Sequence, residues 1–157
     1  MKRRFGLNLF LLLCFVPLTS SASANVRLPA IVSDNVILQQ RIGAPIWGWA
    51  NPGETVTVAG SWCNEASATA GNNGKWKVCL NTPPYGGPYT LTIKGKNEIT
   101  IDNVMISEVW LCAGQSNMGW RLSATFEGKK DSASANYQNL RLFRSERCHS
   151  HEPQENW

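Results

Sequence analysis

Tyr89-Thr90-Leu91-Thr92-Ile93-Lys94-Gly95-Lys96-Asn97-Glu98-Ile99-Thr100-Ile101-Asp102-Asn103-Val104 is the stretch that decides the fold class. Leu91 and Ile93, then Ile99 and Ile101, alternate with polar residues, so each half offers one apolar face with the period of a strand. Asn97-Glu98 supplies the turn between the halves. The pattern extends toward the N-terminus. Lys75-Trp76-Lys77-Val78-Cys79-Leu80 follows Gly71-Asn72-Asn73-Gly74, whose residues tolerate positive φ and predict a hairpin. Thr55-Val56-Thr57-Val58-Ala59 follows the turn Asn51-Pro52-Gly53-Glu54, and Val36-Ile37-Leu38 and Ala44 to Ala50 precede it. Five or six short strands at this spacing predict an antiparallel β-sandwich over residues 25–104.

Beyond Met105 the pattern changes. Glu108-Val109-Trp110-Leu111-Cys112-Ala113 is a continuous apolar run, the mark of a strand buried on both faces as in a parallel α/β sheet. A short helix is expected over Trp120 to Phe126, an exposed loop around Ser132 to Asn136, and a second strand over Asn139 to Arg144. Residues 105–157 thus read as the first β-α-β unit of an α/β domain. One such unit cannot cover both faces of its sheet, so that domain is begun and not finished.

The chain has 157 residues, 43% of them hydrophobic and 17% charged, which excludes a disordered, highly solvated polypeptide. Its net charge of +4 is concentrated at Lys2, Arg3 and Arg4, ahead of the apolar run Phe5 to Val16 and the small residues Ala22-Ser23-Ala24. A basic start, a short apolar centre and an A-x-A site read as a signal peptide over 1–24, hence a secreted or periplasmic protein. The run falls short of the roughly 20 residues a membrane span needs. Removing it leaves 12 basic and 11 acidic residues, a net charge of +1, and with it goes the compositional support for nucleic-acid binding. Cys63, Cys79, Cys112 and Cys148 remain, and in an oxidising compartment four cysteines permit three pairings that sequence does not choose between. Cys63 and Cys79 are not offset as directly opposed residues around the 72–74 turn. With no C-x-x-C, and with His149 and His151 near the C-terminus, no metal or other cofactor is expected.

The residues that carry chemistry are Gly114-Gln115-Ser116-Asn117, directly after the buried run. A serine at a strand-to-helix turn presents its hydroxyl at the carboxyl edge of a sheet, where α/β proteins bind ligands. Its own N–H can face an oxyanion, and Gly114 permits close backbone approach. A serine there is also a favoured helix N-cap. The motif is not a G-x-S-x-G elbow, because Met118 stands at the last position.

Leu28-Pro29-Ala30-Ile31-Val32-Ser33-Asp34-Asn35, Leu38-Gln39-Gln40, Pro45-Ile46-Trp47-Gly48-Trp49-Ala50, Gly86-Gly87-Pro88-Tyr89-Thr90-Leu91 and above all Glu108 to Met118 resemble the opening of the sialate O-acetylesterase family. The resemblance runs from about Leu28 to Phe143 and implies an SGNH-type carbohydrate esterase, residues 105–157 being the N-terminal part of its flavodoxin-like α/β hydrolase domain. It makes Ser116 the nucleophile and an oxyanion donor, Gln115 and Asn117 substrate contacts, and an O-acetylated sugar or polysaccharide the substrate. Gly119 departs from the family, which usually has an acidic residue there. The family's later oxyanion donors and its Asp-x-x-His lie outside residues 1–157. Glu146-Arg147-Cys148-His149 mimics that motif only superficially, since it follows the second strand rather than a completed sheet. A chain without a base for its serine is expected to be inactive alone. The competing class is a secreted carbohydrate-binding or structural β-sandwich module, for which Trp47, Trp49, Trp62 and Trp76 are the candidate sugar platforms. Trp47 and Trp49 share one side of a strand, and packing into the core is the role expected of them. Oligomeric state is left open.

Overall fold

The computed structural model describes residues 25–144, 150–152 and 154. The expected signal segment, Cys148 and His149 lie outside the described residues. Seven strands follow one another: β1 (Ile37–Gln39), β2 (Gly43–Trp49), β3 (Thr55–Gly60), β4 (Asn64–Thr69), β5 (Lys75–Asn81), β6 (Gly86–Lys94) and β7 (Glu98–Ser107). A five-stranded sheet has the order β1-β7-β6-β3-β4, and β2 and β5 form a two-stranded ribbon. The mostly-β expectation therefore holds. It is not wholly antiparallel, because β1 runs parallel to β7, pairing Ile37, Leu38 and Gln39 with Met105, Ile106 and Ser107.

Alternation places the core as the sequence pattern predicts. Val56 and Val58 of β3, Leu91 and Ile93 of β6, and Ile46 and Leu80 of the ribbon are fully buried and belong to one apolar cluster. In β7 the alternation skips a step, with Ile101, Val104 and Ile106 facing inward. Asn103 causes the skip. Its φ of 55° lies in the left-handed region that Asn tolerates better than most residues. Three residue steps of β7 (101 to 104) accordingly span what two steps of β6 (89 to 91) span. That extra residue is a β-bulge, and it resets the phase of the strand.

Three expectations are corrected. The 71–74 turn forms, with Gly71 N donating to Lys75 O (3.0 Å), but it does not join a hairpin. β4 pairs with β3 and β5 pairs with β2, so the turn hands the chain from one sheet to the other. Gly74 is required there: its φ is +74°, and a Cβ would stand 2.8 Å from Ala50 O. The strand β4, Asn-Glu-Ala-Ser-Ala-Thr, has no large apolar residue and was not predicted. It is an edge strand held by β3, with Thr57 Oγ1 2.8 Å from Ser67 Oγ across the pair.

The Trp47–Trp49 pair does share one side of β2, but it is the side away from the core. Ala44, Ile46, Gly48 and Ala50 take the inner positions, and the two indoles are half-buried beside Lys77 and Lys75 of β5. Arg27 covers Trp49, its guanidinium carbon 5.7 Å from the ring centre. Trp76 is the indole that enters the core, and its buried Nε1 has no hydrogen-bond partner among the described residues.

The β-α-β unit is the third correction. No strand forms over Glu108 to Ala113 or Asn139 to Arg144, and the helix expected over Trp120 to Phe126 is replaced by two 3₁₀ turns at Ser116–Gly119 and Leu122–Ala124. The one α-helix among the described residues, α1 (Gly128–Ser134), falls partly in the segment expected to be an exposed loop. A strand apolar on both faces is stabilised only by neighbours on both edges and cover on both faces. Among the described residues none pairs with this run, so Val109, Trp110 and Leu111 stand 53%, 84% and 93% exposed.

Leu91 lies at the centre of the buried cluster. Leu91→Ala should cost about 3 kcal/mol, read as a lowered urea midpoint at unchanged slope. Glu54 supplies a pH-dependent contribution. Its carboxylate, nearly buried, accepts hydrogen bonds from Lys96 N (2.6 Å), Asn51 Nδ2 (2.7 Å) and Asn51 N (3.1 Å), tying the 51–54 turn to the β6–β7 turn. The Lys96 amide in particular holds its pKa below the ordinary 4.5, against the opposing effect of burial, with Asn51 assisting. A depressed carboxylate stabilises the fold above its unfolded pKa, and that stability is lost as pH falls through the folded value. Glu54's contribution to the melting temperature should therefore be lost as pH falls below about 4.5. Glu54→Gln should melt lower at pH 7 and show a shallower acid limb.

Candidate functional site

β1 and β7 leave the sheet side by side at the same end because they are parallel, and the Ser116 segment begins there. Gln40 N donates to Ser107 O (2.9 Å) at the last rung. Beyond it, Glu108 accepts from two carboxamides: Gln39 Nε2 reaches Oε2 at 2.8 Å and Gln40 Nε2 reaches Oε1 at 2.6 Å. Those bonds, Gln39's foremost, hold the exposed Glu108 carboxyl below the ordinary carboxylate value. Gln39 Oε1 accepts from Val109 N (2.8 Å), and Gln40 Oε1 from Tyr85 N (3.0 Å).

The chain then crosses the exposed run to Gly114-Gln115-Ser116-Asn117-Met118. Ser116 opens a four-residue 3₁₀ turn, with Met118 N donating to Gln115 O (3.0 Å) and Trp120 N to Asn117 O (3.2 Å). The N-cap position is held by Gln115 without a side-chain hydrogen bond, so Ser116 is not the cap. A Cβ on Gly114 would lie 2.7 Å from Met118 Cγ, so this glycine faces a side chain of its own turn. The turn starts with the amides of Ser116 and Asn117, which its own hydrogen bonds leave open. Gln115, Ser116 and Asn117 are thus brought together on one exposed turn.

Among the described residues no hydrogen bond joins the Ser116 hydroxyl to a histidine or carboxylate. Two shallow depressions on the extension, one lined by Tyr137 to Leu140 and the other by side chains between 123 and 130, do not include Ser116. No group of three His, Cys, Asp or Glu side chains able to hold a metal occurs among the described residues. Cys63, Cys79 and Cys112 are free and exposed, and no described helix is long and apolar enough to cross a membrane.

The far end of the extension returns to the β-body. Arg141 Nη1 donates to Asn103 O (2.6 Å) and Val36 O (3.3 Å), and its Nη2 to Asn103 Oδ1 (2.9 Å). Sequence reasoning passed over Gln39, Gln40, Glu108 and Arg141. Glu108 was legible only as the polar start of an apolar run, and Gln39-Gln40 only as a phrase of the resemblance.

No family model matches the chain. It is 31% identical over 147 residues to the sialate O-acetylesterase of Rattus norvegicus, covering 86% of this chain and 27% of that protein. It is 29% identical over 134 residues to the sialate O-acetylesterase of Homo sapiens, covering 78% and 26%. The solved structure of a carbohydrate acetylesterase from Xanthomonas citri superposes with a TM-score of 0.65 at 34% identity, over 71% of this chain and 26% of that one. The chain thus spans about a quarter of the length of the proteins it matches. Over that quarter, the sequence and the fold show that the chain belongs to the sialate O-acetylesterase-like family.

Proposed function

We propose that this chain carries the nucleophile-bearing part of a serine esterase of the SGNH type, acting on O-acetyl groups of sialic acid or other carbohydrates. The observation that carries the reading is the Glu108–Met118 motif at the exit of a β-body similar to that of a carbohydrate acetylesterase. In this reading Ser116 Oγ attacks the acetyl carbonyl carbon, its proton passes to a base, and the sugar oxygen leaves with a proton. Water then cleaves the acetyl-enzyme to acetate and free serine. The Ser116 amide at the open start of the 3₁₀ turn donates to the developing oxyanion. Gln115 and Asn117, on the same turn, contact the acetylated sugar. The signal-like segment 1–24 fits work outside the cytoplasm, where such glycans are met.

A serine hydroxyl without a bonded base is a weak nucleophile at neutral pH. The isolated 157-residue chain should therefore hydrolyse p-nitrophenyl acetate no faster than its Ser116→Ala variant. Competence of the site is tested by a chimera in which residues 25–144 replace the matching portion of the rat relative. It should release acetate from an O-acetylated sialoside, and Ser116→Ala should lower kcat about a thousandfold. A folded chimera that keeps its turnover without the Ser116 hydroxyl would remove the serine from the mechanism.

A further inference from the structure

We propose that Gln39, Gln40 and Glu108 form a carboxamide–carboxylate clamp that sets the direction in which the Ser116 segment leaves the β-body. They are positioning residues. Their bearing on catalysis rests on the reading of Ser116 as nucleophile; the clamp itself does not.

The geometry leaves each group one role. Val109 N and Tyr85 N are donors, so the carboxamide oxygens of Gln39 and Gln40 must face them (2.8 and 3.0 Å). Both NH₂ groups then point at residue 108, and each takes its own oxygen of the Glu108 carboxylate (2.8 and 2.6 Å). An aspartate there would be one methylene short. Isolated hydrogen bonds at a protein surface contribute little, but here four are linked in one chain. Flipping either amide sets donor against donor at the backbone N–H and oxygen against oxygen at Glu108. The chain joins three segments: the exit of β1, the exit of β7, and the 83–85 loop before β6.

This is also the place where direction matters most. The parallel β1–β7 pair ends at Gln39 and Ser107, and from Glu108 the backbone has no ladder partner until the Arg141 contacts. Fixing Val109 N against Gln39 defines the first peptide of the excursion that carries Gly114 and Ser116. A displacement of the order of 1 Å at a reacting atom costs about a hundredfold in rate.

A residue swap separates the clamp from general packing. Gln40→Glu sets two carboxylates against each other where the oxygen–nitrogen contact was 2.6 Å. Gln40→Glu combined with Glu108→Gln restores every bond, with the 40–108 bond reversed in direction. Amide exchange of the purified 157-residue chain at pH 7 reads the outcome. In Gln40→Glu, exchange at Val109 and Tyr85 should accelerate about three- to tenfold while Leu91 and Ile93 keep their protection. The double variant should return both amides to within about twofold of the parent. Glu108→Gln alone, which strands one NH₂ group, gives a milder acceleration and stays informative if Gln40→Glu loosens the core. Unchanged exchange at Val109 in both single variants, or no recovery in the double, overturns the clamp. In the chimera with the rat relative, Gln40→Glu should lower kcat with KM little changed, and the swap should recover it. An inactive parent chimera with normal exchange behaviour would count against the serine and leave the clamp standing.

Discussion

The parallel pairing of β1 with β7 is the constraint on which the functional end of the molecule depends. Only three residues long, β1 contributes little buried area of its own, Leu38 being its one buried side chain. Its direction matters more than its length. Two antiparallel strands would leave the sheet at opposite ends, whereas these leave together and place consecutive glutamines beside the first residue after β7. The apolar cluster built from both sheets fixes β7, and β7 fixes where the serine-bearing excursion starts. The excursion itself rests on hydrogen bonds at its two ends, through Glu108 and through Arg141, and buries almost nothing between them.

Much of the β-body was legible because period-2 alternation is a local signal. The clusters around Val56, Val78, Leu91 and Ile101 each announce a strand and its inner face. Strand partners are not local. The 71–74 turn has the residues of a hairpin, yet the two sheets share a core, and the strands on either side of it find better ladders with β3 and β2. Strand β4 escaped notice because nothing in Asn64 to Thr69 favours a strand except the neighbour that recruits it. The placement of Trp47 and Trp49 failed for a related reason. Alternation says that two residues share a face, but which face is inside is decided by Ala44 and Ile46, which enter the buried cluster, and by Gly48, which lies close against Arg27 O and Trp76.

The candidate site was legible through its motif rather than its surroundings. A turn forms at Ser116, with Gly114 against Met118, while the strand meant to precede it does not form. Continuous apolarity in Val109 to Cys112 encodes a requirement for neighbours, and a one-dimensional pattern cannot say whether the described residues provide them. The groups that steer the turn, Gln39 and Gln40, lie about seventy residues away from it and look like ordinary polar surface until β1 is laid beside β7.

Asn103 gathers these threads in a single dihedral angle. Its left-handed backbone keeps Val104 and Ile106 in the core, and its carbonyl and carboxamide receive the guanidinium that returns from the far end of the excursion. The residue is a counting mark: it makes the step from Ile101 to Val104 odd while both side chains stay inside. Straightened into a regular strand of the same length, the segment would turn every side chain from Val104 onward to the opposite side and carry the start of the excursion with it. Dependence on a single backbone angle is thus greatest where the sheet hands over to its chemistry.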